Sequence, residues 1–258
     1  MLKVYSPYTA EQIGEYPLVP MDAIEGIVAT ANDLFEDRSK WLKPHERKAI
    51  LQRCAKIMES RIDELTKLAA NEGGKPFSDS EVEVLRAING VEIAAENIGE
   101  LKGGEIPMGL TPASEGRLAF TQREPIGIVA SVSAFNHPLN LIVHQVITAV
   151  AAGCPVIVKP APTTPMSCEA LVGILKEAGL PEGWCQMVIC ENDVAERLIT
   201  DKRINYFSFI GSSKVGWYLR SKLSPGTRCA LEHGGAAPVI VEPDANFEEM
   251  VPSLLKGA

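Results

Sequence analysis

The chain has 258 residues, a formal net charge of −8 and a hydrophobic fraction of 46%. This is an ordinary composition for a globular protein with one large domain, or one domain with appendages. The acidic balance and the lack of any basic cluster in the sequence predict no nucleic-acid partner, because phosphate binding needs grouped Lys and Arg. The apolar stretches are too short to span a bilayer and the N-terminus lacks a signal-peptide core, so we expect no membrane partner and a cytoplasmic location.

The six cysteines do not indicate a metal site. None forms a CxxC pair, and no histidine stands at ligand spacing from them, so we predict no metal. Cys54 and Cys154 have apolar neighbours, and we expect them to be small buried side chains.

The first third of the chain shows the apolar period of amphipathic helices. Helices are predicted over 22–35, after Pro44, over 62–70 and over 82–101. Residues 104–125 are rich in Gly, Pro, Ser and Thr, which predicts an extended arm or hairpin. Because an exposed strand pair outside the core would seek a partner, this arm predicts an oligomer.

From Ile126 onward, short apolar strands alternate with helices. Strands are predicted at 126–133, 155–159, 186–189, 206–210, 228–231 and 239–241, and helices at 139–152, 167–178, 194–201, 215–223 and 247–255. This alternation predicts an α/β fold of Rossmann-like type, with a mainly parallel sheet covered by helices on both faces. Ligands of such sheets bind at the carboxyl ends of the strands.

Two polar residues follow the first two predicted strands. Asn136 comes after the first strand, where its amide N–H could donate to a developing oxyanion; a residue used only for turn geometry is the alternative. Lys159 ends the second strand and could reach a ribose or a phosphate; a solvated surface Lys is the alternative.

Two further segments follow later strands. Gly211 to Gly216 permits a tight turn into a helix whose N-terminus favours phosphate, although Ser213 and Trp217 exclude the GxGxxG and P-loop patterns. A plain structural turn is an equal alternative. Glu232 precedes two glycines and could act as a general base if burial raises its pKa, or could be a capping or ion-paired Glu.

The order of these segments is more specific than any one of them. FNHP at 135–138, VIVKPA at 156–161, FIGSSKVG at 209–216 and LEHGG at 231–235 together resemble the aldehyde dehydrogenase superfamily. The resemblance covers nearly the whole chain, including Gly-Gly-Lys-Pro at 73–76. It implies oxidation of an aldehyde to a carboxylic acid with NAD or NADP, through a cysteine thioester.

The resemblance assigns roles to individual residues. Asn136 matches the oxyanion-stabilising Asn, and Glu232 matches the base that activates a cysteine or water. The matching cofactor-binding residues are Lys159, Ala161, Pro162, Gly211, Ser212 and Gly216. Many NAD-preferring members carry Glu where this chain has Pro162. A carboxylate there binds the ribose 2′-OH and Pro does not, so both NAD and NADP remain open.

Two histidines bear on the substrate. His137 follows the matched Asn, and His144 comes seven residues later, so two helical turns would place both on one face. The pair would suit a small polar or anionic aldehyde. The alternative is that His144 packs in the helix core.

The resemblance also divides the chain. It implies an NAD(P)-binding domain over 1–103 and 126–231, an oligomerisation arm over 104–125, and the start of a truncated catalytic domain over 232–258. The family's nucleophile lies roughly thirty residues beyond the Glu. Only 26 residues follow Glu232 and none is Cys, so we expect residues 1–258 alone to be inactive.

Two other functions stay open at this stage. A CoA-acylating dehydrogenase has the same scaffold, although Glu232 argues mildly against it. A non-catalytic nucleotide-binding or assembly module would fit a chain that natively ends at residue 258. We expect exposed apolar surface after Glu232, which fits a partial chain better than a native end.

Overall fold

The computed structural model describes residues 1–257, and side chains are described as far as Leu255. The chain begins with an antiparallel hairpin, followed by helices. Their bounds are β1 Leu2–Tyr5, β2 Gln12–Tyr16, α1 Ala23–Glu36, α2 Pro44–Ser60, α3 Ile62–Gly73 and α4 Phe77–Asn97. The predicted helices are confirmed, with α4 beginning five residues before the predicted start. The prediction that the first third is helical was wrong for β1 and β2.

Residues 104–125 form the predicted hairpin, in a minimal form. Two-residue strands, β3 Glu105–Ile106 and β4 Ala119–Phe120, pair antiparallel. Large apolar side chains on and around the hairpin are exposed, with Leu110 at 83% and Leu118 at 79%.

The remainder of the chain builds a five-stranded parallel sheet. Its elements are β5 Ile128–Val132, α5 Pro138–Ile142, a π-helical segment Val143–Ile147, α6 Thr148–Ala152, β6 Val156–Lys159, α7 Met166–Glu177, β7 Cys185–Met187, α8 Asn192–Ile199, β8 Ile204–Gly211, α9 Ser213–Lys222, β9 Arg228–His233 and α10 Phe247–Gly257. The strand order is β7-β6-β5-β8-β9, and every pairing is parallel. The predicted α/β sheet is confirmed.

Helices cover both faces of this sheet, as predicted. Successive side chains of a strand point to opposite faces, and β6 shows this directly: Val156 and Val158 pack with α2 to α7, whereas Ile157 packs with α1, α8 and α9. Two apolar cores therefore enclose the sheet and hold its strand ends in place.

One predicted strand is absent. Residues 239–241 belong to no strand or helix, and Ile240 is 83% exposed. A strand needs a neighbour for its N–H and C=O groups, and the described part of the chain offers none at this point. The expected exposure of apolar side chains after Glu232 is confirmed, and Ala258 lies outside the described residues.

Gly127 gives the first testable prediction, because it begins β5 in a conformation that excludes other residues. Its φ is +131°, and a Cβ there would collide with the Asn205 side chain, whose Oδ1 accepts a hydrogen bond from the Ile128 N–H at 2.9 Å. We expect Gly127→Ala to lower the free energy of unfolding by about 2–4 kcal/mol, measured by urea denaturation. Gly26→Ala in α1, where a Cβ meets nothing within 4 Å, is the control. An equal effect at both sites would contradict this account.

Candidate functional site

The polar segments singled out from the sequence meet at one edge of the sheet. The register places Val132 of β5 beside Lys159 on one side and Phe209 on the other, and Phe209 lies beside Leu231. Because all strands run in the same direction, the residues after this row share the carboxyl edge. Those residues are Asn136, Ser212 and Glu232, and they lie at the edge where ligands of parallel sheets bind.

The turn that carries Asn136 is anchored by a buried side chain of α4. Asn136 is exposed between β5 and α5. The first N–H groups of α5, those of Leu139 and Asn140, donate to Glu83 Oε1 at 2.9 and 3.1 Å. The Glu83 side chain comes from α4 and is fully buried, so the turn is anchored to the helical layer beneath it.

His137 belongs to the same cluster. Glu83 Oε2 forms an ion pair with Lys75 and lies 3.4 Å from His137 Nδ1, and Lys75 Nζ lies 3.1 Å from that same Nδ1. An ammonium group can only donate, so the contact with Lys75 is a hydrogen bond in the tautomer with the ring proton on Nε2, whereas a proton on Nδ1 would be donated to Glu83 Oε2. The His137 side chain is 40% exposed.

Lys159 is a buried lysine at the end of β6. It is 7% exposed, and burial lowers the pKa of its ammonium group. Ala161 is also buried, whereas Pro162 is exposed in the following loop. A desolvated ammonium at a strand end is suited to bind hydroxyl or phosphate oxygens that arrive from solvent.

A second buried carboxylate holds the helix after that loop. Glu72, at the end of α3, is 2% exposed and accepts hydrogen bonds from the N–H groups of Met166 and Ser167 at 2.7 and 2.8 Å. Burial raises the pKa of Glu72 from 4.5 to about 7, partly offset by these bonds. Neither Glu72 nor Glu83 was singled out from the sequence.

The raised pKa of Glu72 gives a pH prediction. An acid whose folded-state pKa exceeds its unfolded value binds more protons when folded, so the free energy of unfolding falls as pH rises between the two values. From pH 5 to pH 8 we expect the wild type to lose up to about 3 kcal/mol relative to Glu72→Gln, measured by urea denaturation. Arg203 holds the pKa of the buried Asp201 well below its ordinary value, so Asp201 stays ionised in this range and the difference between the wild type and Asp201→Asn should not change with pH. Parallel curves for the wild type and Glu72→Gln would refute this.

The Gly211–Gly216 turn leads into α9 with backbone donors available. Ser212 Oγ accepts a hydrogen bond from the Val215 N–H at 3.4 Å and keeps its own proton to donate. Gly216 is required by packing, since a Cβ there would collide with His233 Nε2. The start of α9 can therefore bind an anion. Gly216 in addition has a structural role, because it leaves room for His233.

Glu232 lies exposed near the end of β9. It lines a cavity of about 320 Å³ together with His144, Gln145 and Cys154. Because side chains alternate along a strand, Cys229 and Leu231 point to the opposite face and pack against the core there.

The two histidines have different neighbours. His137 contacts Lys75 and Glu83, whereas His144 lines the cavity beside Glu232. His137 precedes α5 and has a non-helical backbone, and a π-helical segment, in which hydrogen bonds run to the fifth residue, begins at Val143. Two regular turns therefore do not separate the pair.

Two general findings concern other ligands and partners. Within residues 1–257, no three His, Cys, Asp or Glu side chains are grouped so that they could hold a metal ion. No helix in the same range combines the length and apolar character that crossing a membrane requires.

Comparison with known proteins covers the whole chain. The model of the family described as "Aldehyde dehydrogenase family" matches residues 1–258. The 3-sulfolactaldehyde dehydrogenase of Priestia megaterium is 34% identical over 249 residues, which are 96% of this chain and 51% of that protein. The lactaldehyde dehydrogenase of Methanocaldococcus jannaschii is 34% identical over 262 residues, covering 100% of this chain and 55% of that protein. The chain thus spans about half the length of the curated relatives it matches.

Solved structures show the same fold. The glyceraldehyde-3-phosphate dehydrogenase of Methanocaldococcus jannaschii, complexed with NADP, superposes with a TM-score of 0.91 at 33% identity, over 100% of this chain and 56% of that chain. Aldehyde dehydrogenase 21 of Physcomitrella patens, complexed with the reaction product succinate, gives a TM-score of 0.87 at 31% identity, over 92% and 49% of the two chains.

Proposed function

Because this chain belongs to the aldehyde dehydrogenase family, we propose that it supplies the NAD(P)-binding part of an enzyme that oxidises an aldehyde to a carboxylic acid. The observation that carries the proposal is the shared carboxyl edge of the sheet, where Asn136 and Ser212 follow β5 and β8 and where Lys159 and Glu232 lie in the last two residues of β6 and β9. The matched relatives are named as aldehyde dehydrogenases, which supports the reaction class.

The edge fits a dinucleotide. Lys159 would bind the adenosine ribose, beside Ala161 and Pro162, and the start of α9 would bind the pyrophosphate through Ser212 and the backbone. The first N–H groups of α5 and α7 are already bound to Glu83 and Glu72, whereas at the start of α9 a side chain accepts only from the Val215 N–H. The absence of a carboxylate at Pro162 permits NADP as well as NAD, and two of the similar solved structures contain NADP.

The chemical step would take place at the carboxyl ends of β5 and β9, where Asn136 and Glu232 lie. When bound, NAD(P)⁺ accepts a hydride from the substrate. Asn136 would donate its amide N–H to the substrate oxygen as negative charge develops there. Glu232 would accept the proton of the nucleophilic thiol or of the hydrolytic water. The nucleophilic cysteine is expected outside residues 1–258.

We propose a small polar or anionic aldehyde as substrate. The support is the position of His144, which lines the same cavity as Glu232, and the names of relatives that act on 3-sulfolactaldehyde and succinate semialdehyde. His137 is the second candidate, and the charge of Lys75 beside it is already balanced by Glu83.

The remaining proposals concern organisation. Residues 1–103 and 126–231 would form the NAD(P)-binding domain, and 232–258 the start of the catalytic domain. The exposed apolar side chains of the 104–125 hairpin support its role as an oligomerisation arm in a homo-oligomer. The cytoplasmic location stays a prediction.

Lys159→Met tests the cofactor site. Loss of a charged hydrogen-bond donor should raise the dissociation constant of NADP by about 10- to 100-fold, measured by fluorescence titration or calorimetry on the complete protein. Lys202→Met is the matched control, because Lys202 is exposed just before β8, at the amino edge of the sheet. Unchanged NADP binding in Lys159→Met, or equal loss in both variants, would reject the proposed site.

A further inference from the structure

Two buried carboxylates perform the same task at two places in this fold. Glu83 of α4 and Glu72 of α3 are 1% and 2% exposed. Each accepts hydrogen bonds from two backbone N–H groups at the start of a helix that follows a strand of the sheet. The first N–H groups of a helix have no partner within the helix, and the residues before α5 and α7, His137 and Pro165, supply no side-chain cap.

Each carboxylate controls a different half of the proposed site. Glu83 fixes the start of α5, three residues after Asn136. Glu72 fixes the start of α7, which ends the loop that begins at Lys159. A side-chain carboxyl group that accepts two backbone N–H groups fixes the direction of both.

We propose that Glu83 and Glu72 are positioning residues with separate duties: Glu83 orients the Asn136 turn for the chemical step, and Glu72 orients the Lys159 loop for cofactor binding. This inference rests on the proposed function. Neither carboxylate touches substrate or cofactor; each acts through the backbone of the helix it holds.

Lys75 links Glu83 to the His137 ring. Lys75 Nζ contacts both Glu83 Oε2 and His137 Nδ1, and the proposal assigns the Lys75 ammonium group as donor to both, which requires the ring proton on Nε2. Lys75, Glu83 and His137 therefore form one cluster, which fixes both the start of α5 and the orientation of the His137 ring beside Asn136.

The test compares Glu83→Gln, Glu72→Gln and Asp201→Asn in the complete protein. At Glu72 each oxygen accepts one N–H, so a Gln places a donor opposite a backbone N–H. At Glu83 Oε1 accepts both N–H groups and Oε2 accepts from Lys75, so a Gln places its donor opposite the Lys75 ammonium group and removes that ion pair. Misplacement of a reacting group by about 1 Å lowers rates by up to about 100-fold, so Glu83→Gln should lower kcat by about 10- to 100-fold and leave the NADP dissociation constant unchanged. Glu72→Gln should raise that constant by about three- to tenfold, through lost order of the loop.

Asp201→Asn controls for the loss of a buried ion-paired carboxylate. Asp201 pairs with Arg197 and Arg203 and precedes β8 at the opposite edge of the sheet. It should change thermal stability but neither kcat nor cofactor affinity. If Asp201→Asn lowers kcat as much as Glu83→Gln does, a general loss of stability explains both and the inference is overturned.

A measurement on the unmodified protein is independent of how the variants fold. The ¹⁵N NMR shifts of His137, assigned with His137→Gln, should show an unprotonated Nδ1 and a protonated Nε2. A proton on Nδ1 at neutral pH would overturn the proposed Lys75–Glu83–His137 arrangement. Retention of kcat in Glu83→Gln, or equal changes of kcat and cofactor affinity in both Gln variants, would overturn the division of duties. A wild type that neither binds NADP nor oxidises aldehydes would instead reject the proposed function.

Discussion

A polypeptide of residues 1–258 alone should bind NADP and produce no NADPH from any aldehyde. The residues proposed to bind the cofactor all lie between Lys159 and Gly216, and the sheet that positions them is complete with two apolar cores. The chemistry requires a thiolate, and the cysteines of this chain are not placed to provide one.

The environments of the cysteines explain this. Burial raises the pKa of Cys54 and Cys185 to about 12, and it also raises the pKa of Cys154, Cys168 and Cys190. Such thiols stay protonated at neutral pH and are inert. Cys229 lies three residues before Glu232, but strand alternation turns its side chain to the opposite face, so this carboxylate cannot deprotonate it.

The measurement is absorbance at 340 nm with a panel of neutral and anionic aldehydes, together with NADP titration and circular dichroism of the same sample. A folded sample that binds NADP without turnover is the expected result. Steady NADPH formation that disappears in Cys229→Ser would show that the nucleophile is inside this chain, contrary to our account.

The sequence was sufficient to locate the ligand edge, because parallel strands impose a simple geometry. Once residues 126–133 and 155–159 are recognised as strands of one sheet, Asn136 and Lys159 must lie near the same edge. Strand alternation likewise explains why Glu232 faces away from Cys229. The chemical roles of these residues come from the family resemblance and stay predictions until they are tested.

The supports of the site were missed, although the sequence contains a signal for them. Glu83 stands in the buried stripe of α4 together with Ser80, Val84 and Ala87, and Glu72 extends the buried stripe of α3. A carboxylate inside an apolar stripe needs a partner. Periodicity alone cannot say that the partner is the start of a helix more than fifty residues away in the chain.

Two other differences arise from pairing. The strands β1 and β2 are only four and five residues long. Their pattern is therefore less distinct than that of the long helices that follow. Residues 239–241 are apolar, as a strand would require, but a strand also needs a neighbour to pair with, and the described part of the chain provides none there. The interval from His137 to His144 is not two turns of one regular helix, because His137 lies before α5 and a π-helical segment begins at Val143.

Asn136→Ala in the complete protein should lower kcat by about 100- to 1000-fold and leave the NADP dissociation constant unchanged. The amide N–H is proposed to meet an oxygen that gains full negative charge only as the thiol adds, so its hydrogen bond is stronger in the transition state than in the bound substrate. The loss should therefore fall on kcat, with little change in KM.

Asn136→Asp separates the donor from the shape of the side chain. It is isosteric, lacks the N–H and adds a negative charge, so it should lose at least as much activity as the Ala variant. Asn136 is exposed in a turn whose following helix is held by Glu83, so neither variant should lower the melting temperature by more than a few degrees. Full activity in Asn136→Ala would remove this side chain from the reaction. Activity retained only in Asn136→Asp would instead indicate a role in turn geometry, since Asp and Asn share the same preference for turns.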